Sequence, residues 1–243
     1  MDSLENKTAL VTGASRGIGE ACALALARAG CAVAVNYRAR GEEAERVCGA
    51  IRAAGGRALP FRADVSRAAE VKALAGAVQS ALGPISVLIN NAGVARKRAP
   101  LEITEADWDE AMAVNLTSAF LVSREVLPGM RERRWGRIVN VSSGAAYTGG
   151  AVGPHYVASK AGMIGLSRAY AAAFVREGIT VNTVAPVGIE TEMQTKDLGH
   201  TAPRAAIGRF GTSEEVAEAV LMLVRNGYIT GPTLVLGGGM YML

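Results

Sequence analysis

The sequence has few of the features that mark secreted, metal-binding or membrane-spanning proteins. Among its 243 residues are only three cysteines and two histidines, and no two cysteines have C-x-x-C spacing. Neither a disulfide framework nor a zinc site is therefore predicted. The cysteines, Cys22, Cys31 and Cys48, lie in apolar stretches and are predicted to be buried free thiols. Aromatic residues make up only 5% of the chain, whereas glycine occurs 29 times, which favours an α/β fold with close backbone approaches over a β-sandwich.

Targeting and membrane signals are also missing. The N-terminal segment 1–7 carries Asp2 and Glu5 and lacks the basic start and apolar stretch of a secretory signal. No apolar run approaches the roughly 20 residues that span a bilayer. The formal charge of +4 is dispersed along the chain, so no nucleic-acid partner is expected. We expect a soluble, cytoplasmic protein.

Apolar strand-like runs alternate with helix-length segments along the whole chain. The predicted strands are 8–12, 32–36, 57–63, 86–90, 137–142, 180–184 and 233–236. The predicted helices are 18–29, 42–54, 67–82, 105–127, 156–177 and 213–224. This alternation is typical of repeated βαβ units. It predicts a doubly wound parallel sheet of the Rossmann type in a single α/β domain, 1–243, with a substrate lid around 187–210.

A glycine-rich turn follows the first predicted strand and opens the first helix. Its glycines, Gly13, Gly17 and Gly19, have the spacing G-x-x-x-G-x-G. Glycine lets the backbone approach a pyrophosphate closely, and the free N–H groups of a helix N-terminus favour its negative charge. Between a strand and a helix, such a turn predicts a dinucleotide-binding site.

The end of the second strand indicates which dinucleotide binds. An acidic residue at that position would bind the adenosine ribose of NAD, but Asn36 stands there instead. Without a carboxylate the 2′-phosphate of NADP(H) is not repelled. Arg16 and Arg38 are placed to bind it through charge-assisted hydrogen bonds. The sequence therefore favours NADPH over NADH.

Two residues one helical turn apart point to the chemistry. Tyr156 and Lys160 are predicted to share one helix face, and a nearby ammonium group stabilises tyrosinate and so lowers the pKa of the phenol. Tyr156 is thereby predicted to be a general acid. Ser143 follows a strand at the edge where such sheets bind ligands, and its hydroxyl would polarise a substrate carbonyl.

Five motifs in one order resemble the short-chain dehydrogenase/reductase family along essentially the full chain: the glycine turn, Asn90-Asn91-Ala92-Gly93, Asn115, Ser143 and Tyr156-x-x-x-Lys160. The segments 11–19, 35–38, 228–231 and 238–242 are most similar to the family's 3-oxoacyl-[acyl-carrier-protein] reductases. The resemblance implies that Tyr156 protonates the substrate oxygen and that Lys160 holds the nicotinamide ribose. It further implies that Ser143 orients the carbonyl and that Asn115 interrupts its helix to hold a water in a proton relay.

The resemblance also implies contacts with the cofactor NADP(H). Asp64 and Val65 would meet the adenine, Asn91 and Gly93 the adenosine side, and Thr191 the nicotinamide amide. The full predicted set of cofactor-binding residues is Gly13, Ser15, Arg16, Gly17, Ile18, Gly19, Asn36, Tyr37, Arg38, Asp64, Val65, Asn91, Ala92, Gly93, Tyr156, Lys160, Pro186, Gly188, Ile189 and Thr191.

The substrate stays open at this point. One reading is a 3-oxoacyl thioester on acyl carrier protein or coenzyme A, with Ser143, His155 and Tyr156 as substrate contacts and a basic patch, 131–134, near the active-site mouth for the acidic carrier. His155 is about equally compatible with a structural role. The alternatives are an enzyme of a free ketone, diketone, sugar or cyclic alcohol, and a non-catalytic NADP(H)-binding regulatory protein. The resemblance implies a homotetramer, with the apolar C-terminal tail, 240–243, buried at an interface.

Overall fold

The computed structural model describes residues 2–192 and 205–240, and the strands within them form one sheet. These strands are β1 (Thr8–Val11), β2 (Ala32–Tyr37), β3 (Arg57–Arg62), β4 (Ile85–Asn90), β5 (Gly136–Val141), β6 (Ile179–Pro186) and β7 (Thr233–Leu236). Every neighbouring pair is parallel, in the order β3-β2-β1-β4-β5-β6-β7. The chain winds outward from β1 in one direction and from β4 in the other, so the predicted doubly wound parallel sheet is confirmed.

Helices cover both faces of this sheet. They are α1 (Gly17–Arg28), α2 (Gly41–Ala53), α3 (Ala68–Leu82), α4 (Glu105–Ala111), α5 (Ser118–Glu132), α6 (Ala145–Thr148), α7 (Pro154–Phe174) and α8 (Ser213–Arg225). One apolar core includes side chains of α1, α2 and α8, and the other includes side chains of α3, α5 and α7. In β4, Val87 and Ile89 belong to the first core and Leu88 to the second, because successive side chains of a strand point to opposite faces. Burial on both faces explains why the strands read as continuous apolar runs.

The predicted single helix 105–127 is wrong. Helix α4 ends at Ala111, a π-helical segment covers Met112–Thr117, and α5 continues to Glu132. Hydrophobic periodicity did not reveal this break, because the segment has only six residues and apolar side chains continue through it. The interruption lies at Asn115, where the family resemblance places one. Segments of this kind are common at functional sites.

The carboxyl ends of β1, β4, β5 and β6 lie along one edge of the sheet because the strands are parallel. The loops that follow them, 12–16, 91–99, 142–153 and 187–192, therefore meet at that edge. The chain reverses its winding between β1 and β4, and open α/β sheets bind ligands at such a switch point. This edge is where a site is expected.

Part of the predicted lid, 193–204, and the tail residues 241–243 lie outside the described residues. The described flanks of the lid pair with each other, since Glu190 N donates to Gly211 O over 2.8 Å and Gly211 N to Gly188 O over 2.9 Å. Cys22, Cys31 and Cys48 are buried free thiols, as predicted. Across the described part of the chain, no helix combines the length and apolar character needed to cross a membrane.

Candidate active site

The glycine-rich turn is tied tightly to the end of β4. Gly13 has a φ of +62°, and a Cβ atom there would lie 3.0 Å from Ala92 Cα, so both its conformation and its surroundings favour glycine. Asn91 Nδ2 donates to Thr12 O and Gly13 O, each over 3.0 Å. Thr12 Oγ1 accepts from the backbone N–H groups of Asn91 and Ala92. These bonds hold the turn open in front of the N-terminus of α1.

A cleft of about 310 Å³ lies between this turn, the ends of β2 and β3, and the loop after β4. The predicted cofactor residues that line it are Gly13, Ser15, Arg16, Gly17, Ile18, Asn36, Arg38, Asp64, Val65, Asn91, Ala92, Gly93 and Thr191. Among the described residues, a Cβ atom built at Gly17 would meet only Thr191 within 4 Å, which leaves space beside the turn where a pyrophosphate would lie. The shape and charge of the cleft fit a dinucleotide.

Other predicted cofactor residues do not line the cleft. Gly19 lies against Asn91 in the first turn of α1, and the ring of Tyr37 packs beside Gly41. Pro186 ends β6 and accepts a hydrogen bond from Gly144 N. Gly188 and Ile189 pair with Gly211. Their contacts with a cofactor stay predictions.

Asn36 joins three pieces of backbone at the base of the cleft. It is 1% exposed, its Oδ1 accepts from Gly13 N, and its Nδ2 donates to Phe61 O and Ala63 O. A carboxylate here would have no hydrogen to donate to those two carbonyls. Asn36 therefore lacks the negative charge that an acidic residue would bring to this position, and it holds β2, β3 and the turn together.

Three arginines line the adenosine end of this cleft. Arg16 and Arg38 are the two that the sequence predicts, and Arg40 is one that the sequence reasoning missed. Arg40 lies two residues beyond Arg38, just after the bend that follows β2, where neither a strand nor a helix period indicates the direction of its side chain. Arg38 lies 3.9 Å from Asp64. Burial raises the pKa of Asp64, but hydrogen bonds from Ser66 and the charges of Arg38 and Arg67 outweigh it and hold that pKa below its ordinary value.

The predicted catalytic residues converge beyond the other end of the cleft. Tyr156 and Lys160 lie one turn apart on α7 and are 8% and 4% exposed. The Ser143 side chain lies close enough to Tyr156 to lower the pKa of its phenol. Lys160 Nζ donates to Val141 O over 2.8 Å and lies 5.9 Å from the centre of the Tyr156 ring. Helix α7 is thus fixed against the end of β5, with the two hydroxyls side by side.

The expected lowering of the tyrosine pKa is not what the fold shows. Burial raises the pKa of Tyr156, and the hydrogen bond with Ser143 opposes this rise only in part. Burial also lowers the pKa of Lys160 to about 8. The reason is that leaving water disfavours the charged form of both groups, while the ammonium group is directed to the Val141 carbonyl.

Asn115 clamps the loop that follows β4. It is fully buried in the π-helical segment, its Oδ1 accepts from Val94 N over 2.7 Å, and its Nδ2 donates to Val94 O and to Ser159 Oγ. A Cβ atom at Gly93 would lie 3.2 Å from Asn115 Oδ1 and 3.4 Å from Lys160 Nζ. The side chain therefore brings the cleft loop against α7. Its part in a proton relay stays a prediction.

His155 lies under the loop after β4. It is 2% exposed, and its Nε2 lies 3.0 Å from Arg96 O. Arg98 N donates to Val152 O over 2.9 Å, so this loop and the segment before α7 are joined twice. This placement favours a structural role for His155, and its predicted contact with substrate remains untested.

The predicted basic patch is not near the active site within this chain. Arg131, Arg133 and Arg134 precede the first residue of β5, whereas Ser143 follows its last, so the two lie at opposite edges of the sheet. Arg131 pairs with Glu177 over 2.5 Å. The expectation was wrong because β5 lies between the patch and Ser143 in the sequence. An extended strand separates the residues at its two ends by its whole length.

Comparison with known proteins gives matches over most of the chain. The short chain dehydrogenase family model matches residues 7–201. The chain is 41% identical over 244 residues to 3-oxoacyl-[acyl-carrier-protein] reductase FabG of Staphylococcus aureus (strain Mu50), covering 97% of this chain and 98% of that protein. It is 39% identical over 247 residues to the reductase of the same name from Pseudomonas aeruginosa, covering 99% of both. Nodulation protein G of Azospirillum brasilense is 39% identical over 243 residues, covering 98% of this chain and 99% of that protein.

Proposed function

This chain belongs to the short-chain dehydrogenase/reductase family and is an oxidoreductase that acts on CH–OH and C=O groups, and from that premise we propose that it uses NADPH to reduce a 3-oxoacyl thioester to the 3-hydroxyacyl thioester. The observation that carries the proposal is the grouping of Ser143, Tyr156 and Lys160 beyond one end of the cleft that holds the glycine-rich turn. Each residue has a separate task in the reaction.

Ser143 and Tyr156 together hold the carbonyl oxygen. Two hydroxyls side by side donate hydrogen bonds to the oxygen and stabilise the negative charge that develops on it. Tyr156 then transfers its proton to that oxygen. The reduced nicotinamide, when bound, supplies the hydride for the carbonyl carbon. Lys160 would hold the nicotinamide ribose, and its positive charge near the Tyr156 ring would stabilise the tyrosinate left behind.

The preference for NADPH is supported by charge. The uncharged Asn36 stands where a ribose-binding carboxylate would repel a 2′-phosphate, and Arg16, Arg38 and Arg40 line the same end of the cleft. Guanidinium groups bind phosphate oxygens through paired hydrogen bonds. The thioester substrate, on acyl carrier protein or coenzyme A, is supported by the two relatives named 3-oxoacyl-[acyl-carrier-protein] reductase.

The proposal is tested by following NADPH absorbance with purified protein and acetoacetyl-coenzyme A, beside a panel of free ketones, diketones, sugars and cyclic alcohols. Turnover of the thioester supports the proposal. Turnover of the free carbonyl compounds alone replaces the thioester by the alternative substrate class. NADPH binding without turnover of any of them favours the regulatory reading.

A homotetramer belongs to the same proposal. Trp108 on α4 and Phe120 on α5 are 41% and 40% exposed, and exposed apolar side chains on adjoining helices are typical of subunit interfaces. Sedimentation velocity is expected to give a tetramer. A monomer at every concentration tested would contradict this part.

The pH dependence of reduction is expected to reflect Lys160. Because burial lowers the pKa of this lysine to about 8, the charged form is complete only below that pH. Tyr156 keeps its proton there, since burial raises its pKa above the ordinary value. We therefore expect kcat/KM for reduction to be highest below pH 8 and to fall as the pH rises through about 8, because this parameter reports the free enzyme.

The matched variant for this profile is Lys160→Arg, whose guanidinium group stays protonated above pH 12. Whatever rate it retains is expected to show no fall near pH 8. A wild-type rate that increases from pH 7 to pH 10 in the direction of reduction contradicts the assignment.

A further inference from the structure

Glu192 pairs with two of the arginines of the cleft. Its carboxylate contacts the Arg16 guanidinium group and lies 3.5 Å from Arg40 Nη2. Arg16, Arg40 and Glu192 all line the cleft, and their side chains are 38%, 43% and 39% exposed. The cluster is therefore open to the space in which a dinucleotide would lie.

In this cluster a side-chain carboxylate contacts two arginines that could also bind a phosphate. Guanidinium groups recognise carboxylates and phosphates through the same paired geometry, so one anion can replace the other. Arg40 also lies 3.4 Å from Glu43. Arg38 pairs with Asp64, at 3.9 Å. Glu192 therefore pairs with the two arginines of the cluster, and Arg38 lines the same cleft.

We propose that Glu192 determines cofactor affinity and selectivity by competing with the 2′-phosphate of NADP(H) for Arg16 and Arg40. The inference rests on the proposed use of NADP(H). When the phosphate binds, its oxygens take over the two guanidinium groups and displace the carboxylate. When the phosphate leaves, the carboxylate takes them back. NADH has a 2′-hydroxyl in this place, so its binding leaves the ion pairs intact.

The competition works against tight binding of NADP(H). Binding of the phosphate must break the ion pairs between Glu192 and the two arginines, and this cost reduces the net binding free energy. The oxidised cofactor is then released more readily. Release of product is a common slow step in enzymes. A carboxylate beside the phosphate site thus limits how strongly a basic cleft retains its ligand.

The decisive measurement is equilibrium binding of NADPH and NADH by calorimetry to wild type and to Glu192→Gln. Glutamine keeps the size of the side chain and removes its charge. We expect the dissociation constant for NADPH to fall about fivefold, the upper range for a partly exposed ion pair, and that for NADH to change less than twofold. Adenosine 2′,5′-bisphosphate is expected to follow NADPH, and adenosine 5′-monophosphate to follow NADH.

The matched control is Glu190→Gln, two residues away on an exposed position. It makes the same change in net charge and is expected to alter neither constant by more than twofold. Thermal denaturation checks that both variants fold. Weaker or unchanged NADPH binding in Glu192→Gln overturns the inference, as does equal tightening of NADPH and NADH.

The two proposals fail in different ways. The ratio of NADPH to NADH affinity in wild type tests the proposed cofactor, whereas the ratio of Glu192→Gln to wild type tests the competition. A wild type that prefers NADH removes the proposed cofactor. The bisphosphate comparison then still decides whether Glu192 opposes a 2′-phosphate.

Discussion

Tyr156→Phe is expected to lower kcat for carbonyl reduction by about 10²- to 10⁴-fold, the range for loss of a positioned general acid. The variant removes one oxygen atom and leaves the ring in place. In the proposed reaction that oxygen donates the proton and is one of the two groups that hold the substrate carbonyl, with the Ser143 side chain beside it. Cofactor affinity is expected to change little, because the arginines and the glycine turn lie at the other end of the cleft.

Tyr170→Phe is the matched control, because Tyr170 lies on the same helix and packs against Phe174 with ring centres 5.9 Å apart. It loses the same atom far from Ser143 and is expected to keep wild-type turnover. The measurements are steady-state kinetics and NADPH binding for each variant. A Tyr156→Phe enzyme that keeps more than a tenth of wild-type kcat would show that another group supplies the proton.

Gly19→Ala is expected to weaken NADPH binding by about 10- to 100-fold, the scale for displacing a binding group by about 1 Å. The added Cβ would lie 2.5 Å from both Asn91 Nδ2 and Gly13 O. These atoms form the hydrogen bond that holds the phosphate turn, so the turn must move. The free energy of unfolding is expected to fall by about 1–3 kcal/mol, as for other overpacked sites.

Gly76→Ala serves as the control for this change. Gly76 lies within α3, and a Cβ atom there would meet no described residue outside its own helix backbone within 4 Å. This variant is expected to bind NADPH normally and to gain about 0.5–1 kcal/mol of stability, because alanine favours the helix. The measurements are calorimetric binding and thermal denaturation. Normal NADPH binding by Gly19→Ala would show that the turn does not hold the pyrophosphate.

Local pattern predicted the sheet well and the contacts poorly. The strands were recognisable because a parallel strand buried on both faces must be apolar throughout, as Val87, Leu88 and Ile89 show. The π-helical break at Asn115 was not derivable from periodicity, and the patch 131–134 was misplaced because a strand separates it from Ser143. The π-helical segment and the position of the patch both depend on the course of the chain in space, which a pattern along the sequence does not contain.

The candidate site divides in the same way. The turn with Gly13 and Gly19, and the pair Tyr156 and Lys160, are local in sequence, so spacing alone placed them on one turn or one helix face. The pKa of Tyr156 is raised and not lowered in the fold, because desolvation dominates and the ammonium group of Lys160 is directed to the Val141 carbonyl.

The sequence by itself determined the doubly wound sheet, the edge that carries the site and the residue types that perform the chemistry, because strand burial, helix period and glycine spacing act over a few neighbouring residues. Only the tertiary structure decided that Asn115 clamps Val94 and that Glu192 meets Arg16 across 176 positions of the chain. Such contacts depend on how distant segments pack. The burial that results also shifts the pKa values of Tyr156 and Lys160.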